Sequence, residues 1–96
     1  LPTPGKIIDL VSRHFKVSHD ALCDSSRKAG LVRARQVLIF LLRKELRLPL
    51  EAIGQLVGGR DHSTIIHSIE KIEQMVAVNQ DVSDEVSRLR TMLSSS

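Results

Sequence analysis

Ninety-six residues suffice for one hydrophobic core but not for two, so the chain is expected to form a single domain over residues 1–96. With 42% hydrophobic and 26% charged residues it has the composition of a folded globular protein, and its longest apolar run, the six residues Val37 to Leu42, falls far short of the about 20 that cross a bilayer. The net charge of +3 is unevenly spread: from Ser25 to His67 eight basic residues meet three acidic ones, a local +5, while the remainder is −2, which marks the middle of the chain as a solvated basic face or a polyanion site.

In chain order, Thr3-Pro4 predicts an N-cap with proline at the first helical position, leading into Ile7, Val11 and Phe15 on one face. A short second helix is predicted from Ser18, with Val17 and Leu22 as a hydrophobic staple. Cys23, alone in the chain, has no partner for a disulfide or a metal cluster and is expected as a small, at least half-buried apolar residue. Asp24-Ser25-Ser26 is turn-like. A long central helix is predicted to begin between Arg27 and Leu31, with Leu31, Ala34, Leu38, Leu41, Leu42 and Leu46 inward, and to stop near Leu48 before Pro49. Leu50 to Val57 reads as a short helix with Ile53 and Leu56 inward, closed by Gly58-Gly59, where positive φ is allowed. Asp61 can cap a longer helix carrying Ile65, Ile69, Ile72 and Val76 on one side, and a last helix follows a cap at Asp81 or Ser83 with Val86, Leu89 and Leu93 inward. Ser94 to Ser96 are expected to fray. The class is all-α.

A short helix, a glycine turn and a second helix opening Asp-His-Ser-Thr have the layout of a helix-turn-helix, whose second helix presents its first turn to the major groove. A carboxylate can accept from cytosine N4, hydroxyls can serve several bases, and the helix N-terminus aims free N–H groups at phosphate. Asp61 reads equally as an ordinary cap. Single strands and RNA loops are gripped by exposed rings, but there is no Trp or Tyr here, and Phe15 and Phe40 fall in apolar helical patterns. Duplex DNA is the better polyanion.

The stretch Gly58-Gly59-Arg60-Asp61-His62-Ser63-Thr64-Ile65-Ile66-His67 resembles the signature of the DnaA family of bacterial chromosomal replication initiators, in their C-terminal DNA-binding domain. Ser26-Arg27, Ala34-Arg35-Gln36, Lys44-Glu45-Leu46, Ile53-Gly54 and Lys71-Ile72 extend the resemblance in the family's order. It implies a Trp-repressor-like bundle of about six helices containing a helix-turn-helix, placed on short asymmetric double-stranded boxes at the replication origin. On that resemblance Asp61, His62 and Ser63 would touch base edges in the major groove, Thr64 would hold the backbone, and Arg27 would enter the adjacent minor groove. Arg35, Gln36 and Arg43 would meet phosphates, with Lys28, Arg33 and Arg60 as further basic contacts. Ser63 stands where the family usually has threonine, and Pro49-Leu50-Glu51 departs from a serine-led start of the short helix. The chain would be a fragment of a larger initiator whose ATP-binding domain lies upstream.

An enzyme is the first alternative, because Asp61, His62 and Ser63 are the residue types of a hydrolytic triad. Consecutive helical residues point about 100° apart, so the three cannot align as orienter, base and nucleophile. His62 and His67 are five apart rather than the four of a helical zinc pair, and no phosphate-binding G-x-x-x-x-G-K-[ST] loop is present, so neither a metal nor a cofactor is expected in this chain. A helical protein-interaction module, using the acidic-leaning stretch from Glu70 to Glu85, is the second alternative. No leader segment is expected, and a cytoplasmic setting is expected. A monomer is expected because no apolar stripe is left over.

Overall fold

A computed structural model describes residues 1–95 as six helices: α1 (Pro4–Phe15), α2 (His19–Cys23), α3 (Ala29–Leu46), α4 (Leu50–Leu56), α5 (His62–Val78) and α6 (Gln80–Ser94). Among the described residues there is no strand, and no helix is long and apolar enough to cross a membrane. Ser94 closes α6 and Ser95 caps it; Ser96, the rest of the stretch expected to fray, lies outside the described residues.

The helix starts follow local chemistry. Thr3 Oγ1 accepts from the Lys6 N–H at 3.2 Å, and Ser18 Oγ accepts from Ala21 N–H at 3.0 Å, each satisfying an N–H that the first helical turn leaves free. Before α3 there is no side-chain cap on Lys28; instead Asp24 Oδ1 accepts from Ser26 N–H at 2.8 Å and Ser26 Oγ from Lys28 N–H at 3.3 Å, two interlocked local turns that lead the chain into the helix. α3 ends two residues earlier than proline alone requires, because Arg47 turns left-handed at φ 54° and returns its N–H to Arg43 O. The start of α6 also differs from expectation. Asn79, not Asp81 or Ser83, caps it, accepting from Val82 N–H at 3.2 Å while closing α5 through its own N–H to Met75 O.

Packing puts α3 at the centre, touching each of the other five helices. Every residue from Val37 to Leu42 is buried there, so the helix is enclosed nearly all round. The predicted stripe therefore missed Val37, Ile39 and Phe40, while Leu31 and Leu46 are only half-buried. α5 lays Ile65 and Ile72 into the same core with Ser68 buried between them, and α6 contributes Val82, Val86, Leu89 and Leu93. Polar pairs tie helices at the rim: a hydrogen bond between His14 Nε2 and Glu85 Oε2 at 2.8 Å, and ion pairs of Lys44 Nζ with Glu73 Oε2 at 2.8 Å and Arg90 Nη2 with Glu45 Oε2 at 3.2 Å. Partly solvated pairs of this kind contribute at most about 1 kcal/mol each, so apolar burial holds the fold.

Candidate nucleic-acid interface

The turn between α4 and α5 is organised around one carbonyl. Gly54 O accepts from Val57 N–H at 3.3 Å, Gly59 N–H at 2.8 Å and Arg60 N–H at 3.1 Å, folding the chain back on the end of α4. Gly58 and Gly59 take φ of 90° and 80°, where a Cβ is disfavoured. Gly54 is glycine for another reason: a Cβ there would collide with the Arg60 carbonyl.

Out of this turn Asp61 caps α5, its Oδ1 accepting from Thr64 N–H at 2.9 Å. That hydrogen bond is the main cause holding the Asp61 carboxyl below the ordinary aspartate pKa. The cap and base-reading assignments for Asp61 are compatible, because one carboxylate oxygen is used in the cap and the side chain is exposed. His62, Ser63 and Thr64 are exposed on the first turn, and His62 and Ser63 share a shallow groove with Glu51 and Gln55 of α4.

A second groove lies alongside, between the N-terminal half of α3 and the start of α5. Arg27, Gln36, Arg60, Thr64 and His67 line it, so residues more than thirty apart in sequence meet at one surface. Arg27 is exposed, and its side chain has no hydrogen bond or ion pair among the described residues. Lys28 is exposed and Arg33 half-buried; neither lines the two grooves. Arg43 lies apart, exposed at the far end of α3 with Lys44 and Arg47, donating through Nη1 to Leu48 O at 2.8 Å.

Arg35 and Arg60 also line the second groove, and both are engaged by carbonyls of the protein itself. Arg35 is only 7% exposed. Its Nε donates to Leu22 O at 2.7 Å, Nη1 to Ser26 O at 3.2 Å, and Nη2 to Ala21 O at 3.1 Å and Asp24 Oδ1 at 3.4 Å, which engages four of the five guanidinium N–H groups. Burial lowers its pKa first and neighbouring Arg60 second, with Asp24 opposing both. Arg60 is half-buried and donates to Val57 O and Asp24 O. Charge in a sequence does not disclose which carbonyls stand opposite it.

Sequence reasoning assigns no groove position to Ile66 or His67. Ile66 is 42% exposed and lies on the outer side of α5 with Ser63, while His67 faces the second groove. Continuing the 100° helical step beyond the first turn was the signal that places them there. Among the described residues no three or more His, Cys, Asp or Glu gather as a metal site. Cys23 is half-buried, with Sγ donating to Leu56 O at 3.4 Å.

The family described as "Bacterial dnaA protein helix-turn-helix" matches residues 4–72, from α1 to the Ile72 turn of α5. The chromosomal replication initiator protein DnaA of Thermomicrobium roseum is 37% identical over 91 residues, covering 95% of this chain and 20% of that protein. Proteins of the same name from Rhodopseudomonas palustris (strain BisB18) and Nitrobacter hamburgensis are 42% and 40% identical over 95 residues, covering 96% of this chain and 20% of each relative. The chain thus spans about a fifth of the length of these curated relatives. Match and identity extend across the helices that build both grooves, and the chain belongs to the bacterial DnaA helix-turn-helix family.

Proposed function

We propose that this chain binds double-stranded DNA sequence-specifically at origin boxes in the initiation of chromosomal replication. The first turn of α5 would lie in the major groove, with Asp61, His62 and Ser63 at base edges, and Arg27 would reach into the neighbouring minor groove. Gln36, Arg43, Thr64, Lys28 and Arg33 would meet the backbone. The observation that carries this reading is the side-by-side placement of two grooves, one fronted by the exposed polar start of α5 and the other holding an exposed arginine with no partner among the described residues. Wide and narrow DNA grooves alternate along a duplex in the same way, and a narrow minor groove attracts guanidinium. The relatives' name supplies the process, replication initiation. As a member of a helix-turn-helix family the chain is a binding module rather than an enzyme. ATP binding belongs to the part of such initiators outside this chain, the domain acts as a monomer, and its setting is the cytoplasm.

The test begins by selecting a preferred box from random duplexes and measuring affinity for it and for a scrambled duplex over a salt series. Preference for the box is expected, with log affinity falling against log salt by about 0.9 per phosphate contacted. A protein that bound both duplexes equally, or showed no salt dependence, would overturn the reading.

A further inference from the structure

The α2–α3 loop, which carries Arg27, is fastened to the helix-turn-helix turn from several directions. Arg60 spans the gap between them, Nη1 donating to Val57 O in its own turn and Nη2 to Asp24 O in the loop. Arg35 holds the same loop from α3 through Ser26 O and Asp24 Oδ1. Gly58 approaches Cys23 O so closely that a Cβ would collide with it. Within this fastened segment Arg27 projects an exposed guanidinium, unpaired among the described residues, one residue beyond Ser26.

We propose that Arg60 is a positioning residue whose two-pronged bridge from Val57 O to Asp24 O fixes the Arg27 loop relative to the first turn of α5, so that both DNA grooves are engaged as a unit. This rests on the duplex-binding reading above. An unfastened loop has to be ordered at the moment of binding, and that entropy subtracts from whatever Arg27 contributes. The residue type fits the task. A planar guanidinium offers parallel donors to two carbonyls at once, whereas an ammonium is a single point charge on a flexible stem. Half-buried and occupied at both Nη atoms, Arg60 acts on DNA through Arg27 instead of as an independent phosphate ligand.

Arg60→Lys separates the two roles, because lysine keeps the charge a phosphate would need and removes the fork. Wild type, Arg60→Lys, Arg27→Ala and the double variant are compared for affinity to the selected box and to scrambled duplex. Amide hydrogen exchange of residues 24–28 is measured in the DNA-free proteins. Arg60→Lys is expected to speed exchange in that loop and to lower the preference for the box while leaving the salt slope unchanged. Arg27→Ala, which removes about fivefold or more of the preference from wild type, is expected to remove less than about threefold from Arg60→Lys, since contacts in one network are not additive. The proposal is overturned if Arg60→Lys exchanges and binds as wild type does, or if the Arg27→Ala loss is undiminished in its background. Failure of the duplex-binding reading shows separately, as a wild type without box preference, and the exchange measurement still decides whether Arg60 holds the loop.

Discussion

Residues of similar charge divide by what surrounds them. Arg27 is exposed without a partner among the described residues and His62 is exposed on the first turn of α5, so each can form a new contact without breaking an old one. Arg27→Ala and His62→Ala are each expected to lower preference for the box over scrambled duplex by roughly five- to 150-fold, the equivalent of about 1 to 3 kcal/mol for a base contact. Arg43, remote from both grooves, is expected on replacement by alanine to weaken both duplexes alike and to reduce the salt slope by about 0.9. Competition titrations with the two duplexes measure all three variants, and a selective loss for Arg43→Ala would remove it from the phosphate group. Asp61 carries a pH signature. Its folded-state pKa lies below the unfolded value, so its cap contributes stability above the unfolded pKa and loses it as pH falls through the folded one. Asparagine caps equally well and does not titrate, so Asp61→Asn should lose less stability than wild type below about pH 4. Identical acid melting curves for the two proteins would assign the acid sensitivity to other groups.

At the scale of elements, what was legible in the sequence is what local signals encode. Thr3-Pro4, Ser18, Gly58-Gly59 and Asp61 each specify a start or stop through their own backbone preference or side-chain oxygen, and the structure uses all of them. Asn79 was missed because it closes one helix and opens the next without an intervening loop, so the apolar and polar pattern runs on through it. The beginning of α3 was only bracketed, since its lead-in depends on turns at Asp24 and Ser26 together with an arginine reaching back from the helix itself. Glycine shows the same division, because identical substitutions should act oppositely. Gly54→Ala drives a methyl against the Arg60 carbonyl and is expected to destabilise by about 1 to 3 kcal/mol. Gly30→Ala, in the first turn of α3 with nothing within 4 Å of its would-be Cβ, is expected to stabilise by about 0.5 to 1 kcal/mol through helix propensity. Thermal melts of the two variants check the signs, and a raised midpoint for Gly54→Ala would contradict the contact assigned there.

Across the whole molecule, the interface is held in place by the core beneath it, and buried Ser68 lies at the boundary of the two. α3 and α5 both run from the groove surface into the buried cluster, so the relative position of Arg27 and His62 depends on packing two and three turns away. Periodicity along one helix reports a face but not how many neighbours surround it, which is why the enclosure of α3 from Val37 to Leu42 was hidden while the existence of the helix was not. The same arrangement allows stability and recognition to be separated. Ile72 is fully buried on α5, two turns beyond Thr64 of the groove-facing turn, and deleting one methyl there leaves the charged surface intact. Ile72→Val is expected to lower stability by about 0.5 to 1.5 kcal/mol, which moves the melting midpoint by about 4 to 8 °C per kcal/mol in a domain of this size. Well below that midpoint, the ratio of box to scrambled affinity should equal that of wild type, because each affinity scales with the same folded fraction. A changed ratio with an unchanged midpoint would mean that the core itself takes part in choosing the sequence, through the angle at which α5 meets the groove.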